Sequence, residues 1–449
     1  MKKEVTIIGA GLVGSLLSIY LVKRGYKVKV YERRGDMRIE QVVAGRTINL
    51  TLSDRGIRAL EEVDIFNDIK NIAKPMYGRL MHNTDNSTVS QPYGKDAQCL
   101  YSVSRTGFNK ILMNLAEQKG VEFHFHESCT HIDWDKNIIS FSNTINGETS
   151  FVKSELTFGS DGAYSASRLT NQLQHPRFQY EQSYIEYGYK ELTIPAGANE
   201  EFLLCPQALH IWPRGHYLMI AMPNFSGSFT CTLFFPYEGA ASFSSLDTKE
   251  KVRAFFETNF ADALPLMPTL TEDFFTNPTA ALVTIKCFPW IRDDKFTLIG
   301  DAAHAIVPFY GQGMNCGFED CVILNQLMDK YQDDDWQCIL KEFEQLRKPD
   351  ADAIADLALN NFAEIRDKVA DPKFLLRKKI EAAFSDKHPD KWIPAYSQVT
   401  FRPDIRYSDA LRNGLRQEKI MQEIMDIPGI EQDWDSASIE KIILEKIRA

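Results

Sequence analysis

At 449 residues, with 44% hydrophobic and 25% charged residues, the chain has ordinary globular composition and room for two or three domains, which excludes a disordered or fibrous protein. Its 51 basic against 61 acidic residues leave a net charge of -10, so a general polyanion binder is excluded, while a local basic site for a small anion stays open. Eight cysteines without a CxxC pair read as free thiols in a reducing compartment, and no uncharged apolar run approaches the roughly 20 residues that span a bilayer.

The first strand, VTII at 5–8, starts almost at once and leaves no room for a leader segment, so a cytoplasmic protein is expected. It feeds Gly9-Ala10-Gly11-Leu12-Val13-Gly14 and then a helical pattern to Arg24, and the next strand, 27–31, ends at Glu32. Gly9 permits the turn, Gly11 lets backbone approach a pyrophosphate, Gly14 lets helix and strand pack, and Glu32 suits an adenosine ribose diol. This predicts a bound dinucleotide; the stretch alone does not choose FAD over NAD. Residues 45–60 read as a loop, a short extended piece and a helix capped near Ser53; 76–82 form a strand carrying Arg79; 102–119 form a strand and a helix with Arg105 at its start.

Period-two alternation at 121–125 and an Asn146-Gly147 turn within 141–158 predict a strand and a hairpin. His124, His126 and His131 lack the carboxylates or cysteines of a metal set, so no metal site is expected. Asp161-Gly162 follows a strand end and reads locally as a turn. From 175 to 290 short β-rich runs predict an antiparallel sheet with an apolar, aromatic face. In 298–321, LIGDAAHAIVPFYGQGMNCGFEDC, a short strand delivers Gly300-Asp301 into a loop that ends in a glycine-punctuated helix start. Beyond it the pattern is helical, with Pro349 and Pro372 as breaks and an acidic, amphipathic tail after Arg416.

Gly9-x-Gly11-x-x-Gly14 with Glu32, then Asp161-Gly162, then Gly300-Asp301, in this order, resemble the three fingerprints of the FAD-dependent single-component aromatic hydroxylases. The segments GRTINLTLSDRG, MYGRLMH, LHIWPRG, DAAHAIVPFYGQGMNCGFEDC and NFAEIRDKVADPKF are similar to the branch of that family acting on L-kynurenine, and the likeness runs from the N-terminus to about Phe401. The resemblance implies an α/β protein: a Rossmann-like FAD-binding domain (1–174 and 291–330), an inserted antiparallel β-sheet substrate domain (175–290) and a helical C-terminal region (331–449). It implies bound FAD, with NADPH as a transient co-substrate and dioxygen, and hydroxylation of L-kynurenine to 3-hydroxy-L-kynurenine through a C4a-hydroperoxyflavin in tryptophan degradation.

Flavin contacts are implied at Val13, Tyr31, Glu32, Arg33, Arg34, Thr51, Arg105, Thr130, Asp161, Asp301, Gly313, Met314 and Asn315, alongside Gly9, Gly11 and Gly14. Substrate contacts are implied at Arg79, Tyr93, Asn361 and Tyr396, with Phe309 and Tyr310 beside the substrate and the flavin edge. Thr51 stands where some relatives have alanine. No side chain is required as a general acid or base, and His304 is expected to be structural. The chain lacks the apolar tail of membrane-anchored relatives, so no anchor is expected. A flavin hydroxylase of another aromatic substrate and a non-catalytic FAD-binding protein are the competing readings.

Overall fold

The computed structural model describes residues 4–40, 49–94, 98–333, 335–367 and 372–448. Residues 45–48 and 368–371, parts of two of the family-like segments, and Asp334 lie outside them.

The first layer is a six-stranded sheet in the order Ile291–Arg292, Phe296–Leu298, Leu156–Gly159, Glu4–Ile8, Lys27–Glu32, Glu122–Phe125. All neighbours are parallel except the first pair. Such strands are buried on both faces, which is why VTII and LTFG carry no charged residue and bury even Thr6 and Thr157. In a sheet of this kind ligands bind beyond the carboxyl ends of the strands. Those ends deliver the Gly9–Gly14 loop, Glu32, Asp161 and Gly300-Asp301 to one rim, so three widely spaced sequence fingerprints become one surface.

The second sheet has seven strands in the order Ala280–Phe288, Gln179–Ile194, Phe229–Pro236, Leu218–Pro223, Ala208–Pro213, Gly78–His82, Thr88–Pro92. It differs from the expected 175–290 antiparallel insert in two ways. It takes its last two strands from residues 78–92, and Ala208–Pro213 pairs parallel with Gly78–His82, placing Leu209 opposite Arg79. The alternation of side chains gives the sheet two apolar faces. One, with Trp212, Met219 and Phe229, is covered by Val252 and Phe256 of helix Lys249–Asn259 and by Leu270 and Phe274. The other, with Met81, Ile211, Leu218 and Phe234, meets Val307, Tyr310, Phe362 and Tyr407 from the rest of the chain.

The break expected at Pro349 does not occur: Trp336–Asp367 is one helix with Pro349 inside it. The residues flanking the proline are anchored from outside, Arg347 to Asp320 and Asp350 to Arg406 and the Ser408 N–H, which compensates for a lost helical hydrogen bond. The acidic tail is also more than a surface feature. Helices Pro372–Lys387, Tyr407–Met425 and Ala437–Arg448 bury Ile380, Phe384, Met421, Ile424 and Ile443 in a small core of their own. Among the described residues no helix is long and apolar enough to cross a membrane.

Candidate active site

The glycine loop shows what each glycine is for. Gly9 has φ +103°, and a Cβ there would lie 2.6 Å from Ser160 O; one on Gly14 would lie 2.1 Å from Gly9 O. Both are close-packing positions between strand, helix and the Asp161 loop. Gly11 is different: its φ of -70° suits any residue, and a Cβ there would meet nothing within 4 Å. The space in front of Gly11, at the start of helix Leu12–Lys23, is open, and the helix N-terminus there suits an anion such as a pyrophosphate. Gly11→Ala is accordingly expected to leave the melting temperature of the apoprotein unchanged and to weaken FAD binding by about tenfold. An FAD titration with unaltered affinity would show that the space serves no cofactor.

Around this loop the predicted residues divide by what their side chains do. Glu32 accepts from the Ala10 N–H (2.9 Å) and the Arg34 N–H (3.0 Å), so it shapes the loop. The Tyr31 ring is sandwiched between His124 and Phe141 at centroid distances of 4.5 and 4.3 Å, and only its carbonyl, which accepts from Gly9 N–H, reaches the loop. Asp161 is engaged within its own turn, accepting from the Ser165 and Ser167 hydroxyls and the Ser167 N–H. Val13 packs on Gly300 and Gly317, where added methyls would meet it at 3.0 and 2.5 Å, and so ties the first fingerprint to the third. Arg33 and Arg105 are exposed, the latter opening helix Arg105–Gln118. Thr130 is exposed on strand Glu127–Asp133, its hydroxyl donating to Ser140 O. Arg105 and Thr130 have no hydrogen bond to another predicted residue among those described.

At the opposite end of the cradle, Asp301 follows Gly300, whose φ of +61° turns the chain, and its half-buried carboxylate accepts no hydrogen bond among the described residues. Helix Gly313–Lys330 begins beside it; Cys316 N–H is the first bonded, to Gln312 O at 2.8 Å, leaving the N–H groups of Gly313, Met314 and Asn315 free of intrahelical acceptors. The Asn315 side chain is consumed within the protein, accepting from Ser53 N–H and donating to Thr51 O and Gly311 O. What Asn315 offers a ligand is its backbone. Thr51 lies against Gly311, whose φ of +65° and close approach to the threonine hydroxyl require glycine. A carboxylate to accept from hydroxyls and a helix N-terminus to donate to developing negative charge are the acceptor and donors that a ribityl chain and a reduced flavin ring need.

The predicted substrate residues converge on the inner face of the second sheet. The Arg79 guanidinium lies 4.4 Å from the Tyr396 ring centre and 5.7 Å from that of Tyr93, and these two rings stack on one another at 6.1 Å. Tyr310 stacks on Tyr396 at 5.4 Å, Phe309 on Phe362 at 4.0 Å, and Asn361 donates to Phe309 O. Arg79 Nε and the Tyr93 hydroxyl are buried and unpartnered, and among the described residues Arg79 makes no ion pair. Burial pushes the Tyr93 and Tyr310 phenols well above their ordinary range, so both remain neutral donors. A guanidinium that has aromatic faces around it and no carboxylate beside it keeps hydrogen-bonding capacity for an anion.

A charge network beneath helix Gly313–Lys330 is not foreseen in the sequence. His304 bonds Asp320 (2.6 Å), Asp320 also accepts from Gly300 N–H (3.0 Å) and Arg347 (2.7 Å), and Arg347 and Arg55 both grip Glu319. Burial alone would push the His304 imidazole down, but the facing Asp320 carboxylate holds it well above the usual value. Burial likewise pushes Asp320 up, and His304 and Arg347 hold it below the carboxylate range. His304, Cys316 and Asp320 have the makings of a metal set, yet the Arg347 guanidinium reaches both the Asp320 carboxylate and the Cys316 sulfur, so the position already carries its cation. The aspartate-arginine pairing was not visible because each residue alone reads as an ordinary helix-surface charge.

A family described as an FAD binding domain matches residues 2–358. The fold is likewise shared with the oxygenase of 2-methyl-3-hydroxypyridine-5-carboxylic acid (TM-score 0.67, 19% identity, 83% of this chain and 94% of that one) and with a probable FAD-dependent monooxygenase from Pseudomonas aeruginosa (TM-score 0.64, 18% identity, 81% and 97%). The family match and the cradle make the chain an FAD-binding protein, and its fold is the one those oxygenases share.

Full-length similarity narrows the class. The chain is 48% identical over 447 residues to the kynurenine 3-monooxygenase of Christiangramia forsetii and 49% identical over 450 residues to that of Flavobacterium psychrophilum, in each case covering 100% of this chain and 99% of the relative. It is 42% identical over 457 residues to the Dictyostelium discoideum enzyme of the same name, covering 99% and 96%. The chain belongs to the kynurenine 3-monooxygenase family.

Proposed function

We propose that the protein is an NADPH- and FAD-dependent monooxygenase that hydroxylates L-kynurenine to 3-hydroxy-L-kynurenine, a step of tryptophan degradation. The observation that carries the substrate class is the Arg79 guanidinium inside a box of tyrosines, its buried Nε without a hydrogen-bond partner and no carboxylate paired with it among the described residues. A neutral phenol gives no reason to bury a cation, whereas an amino acid carrying an aromatic amine supplies both a carboxylate for the fork and a flat ring for the walls.

Bound FAD would supply the redox chemistry, passing the electrons of NADPH to dioxygen so that one oxygen atom enters the ring and the other leaves as water. The chain's own residues bind and orient. Arg79 pairs with the substrate carboxylate, Tyr93 and Tyr396 donate hydrogen bonds, and Asn361 fixes the Phe309 backbone that walls the ring. Phe309 and Tyr310 keep water from the reacting carbon. Gly9, Gly11 and Gly14 with Glu32 hold the adenosine diphosphate, Asp301 the ribityl hydroxyls, and the N–H groups of Gly313 to Asn315 the pyrimidine edge. The division of labour follows the sheets: 1–174 and 291–330 hold the cofactor, 175–290 joined by 78–92 roofs the substrate, and 331–449 closes it. A cytoplasmic location is supported by eight cysteines, all unpaired.

The test is direct. Adding kynurenine to the yellow protein is expected to accelerate NADPH oxidation and to yield a product heavier by one oxygen atom. Hydrogen peroxide accompanied by unchanged kynurenine would remove the substrate assignment while leaving the flavoprotein class standing.

A further inference from the structure

We infer that Arg55 is a positioning residue for the reaction: from the flavin-domain helix Asp54–Glu61 it fixes the helix Ala395–Phe401, and so sets where the Tyr396 ring stands in the Arg79 box. The inference rests on the reading of that box as the kynurenine site. Helix Ala395–Phe401 is seven residues long, too short to be stable alone, and its last carbonyls have no intrahelical donors. Arg55, 1% exposed, supplies them. Its Nε donates to Val399 O at 2.7 Å, and its Nη2 reaches Gln398 O, Arg402 O and Ile405 O. Only a guanidinium can hold this many acceptors in one plane; an ammonium on a flexible stem cannot.

The same side chain is locked from behind. Its Nη1 donates to Glu319 Oε1 on helix Gly313–Lys330, and its guanidinium lies 4.0 Å from the Tyr407 ring centre, whose hydroxyl donates to Gln312 Oε1. At the start of Arg55's own helix, Ser53 N–H donates to Asn315 Oδ1, and a Cβ on Gly56 would come within 2.4 Å of that oxygen. One helix of eight residues therefore touches both the flavin-facing helix start, through Asn315, and the substrate-facing helix, through Arg55. Because Tyr396 stacks on Tyr310 and faces Arg79 at 4.4 Å, a small displacement of its helix would open the box.

The experiment compares Arg55→Lys, Tyr396→Ala and the double variant in the FAD-loaded enzyme, reading kynurenine KM, kcat, hydrogen peroxide formed per NADPH, and bound FAD. Arg55→Lys is expected to raise kynurenine KM roughly tenfold and peroxide leakage severalfold, with kcat within about threefold and FAD content unchanged. On the Tyr396→Ala background the same change is expected to add less than about twofold, since its effect passes through the missing ring. Effects that multiply, or FAD lost in proportion to activity, would overturn the inference and leave Arg55 a folding residue. A Tyr396→Ala enzyme with unaltered kynurenine KM would instead remove the box reading together with the inference.

Discussion

Replacing Arg79 by alanine is expected to raise the kynurenine concentration for half-maximal NADPH oxidation by roughly 100-fold, while the purified protein stays yellow. Charge-assisted hydrogen bonds contribute about 1.5–3 kcal/mol each, and a bidentate pair with a carboxylate loses both at once. The size of the stability change separates function from structure. Arg79 has a buried Nε without a hydrogen-bond partner and no ion pair among the described residues, and its guanidinium rests against the Tyr396 and Tyr93 rings. Because no ion pair is lost, Arg79→Ala is expected to change the melting temperature of the substrate-free enzyme little. Arg79→Lys keeps the charge but not the fork, and an intermediate rise of about tenfold is expected. If flavin content falls as far as kynurenine affinity does, Arg79 is a structural residue and the substrate assignment loses its support.

What could be read from the chain and what could not have separate physical origins. The glycine loop, Asp161-Gly162 and Gly300-Asp301 were legible because each is a local backbone demand at a strand end, and the parallel order of the strands then assembles them without further information. Tyr31 misleads for an equally local reason: strand parity turns its ring into the stack with His124 and Phe141, leaving only its carbonyl at the loop. The box could not be derived locally. Arg79 and Tyr93 enter the second sheet through a parallel pairing with 208–213, a partner that hydrophobic pattern does not specify, and Tyr396 arrives from a short helix over 300 residues later in the chain. Those positions came from family likeness; what the structure adds is the reason they belong together. Pro349 shows the limit of punctuation, since anchors supplied by distant residues outweigh a single lost hydrogen bond.

The same long-range anchoring makes Asp320 the second position of large effect. Asp320→Ala would leave His304 as a buried cation without its carboxylate, strip Arg347 of one of its partners while Glu319 still holds it, and leave Gly300 N–H without its acceptor, at the turn that precedes Asp301. Breaking one partner out of a buried ionic cluster costs about 3–5 kcal/mol, so both a large drop in melting temperature and loss of FAD are expected. The pH dependence has a definite sign. His304, raised above its ordinary value by Asp320, contributes stability that is complete below about pH 6.5 and is lost as pH rises through its raised folded value. Asp320, held low by His304 and Arg347, contributes stability present above about pH 4 and lost as pH falls through its lowered folded value. The pair is strongest between those limits. The melting-temperature advantage of the wild type over His304→Gln is thus expected to be greatest near pH 5–6 and to shrink as pH is raised toward 9. An advantage that stays constant or grows over that interval would mean that His304 is neutral in the folded protein, and that Arg347 alone balances Asp320 beneath the flavin loop.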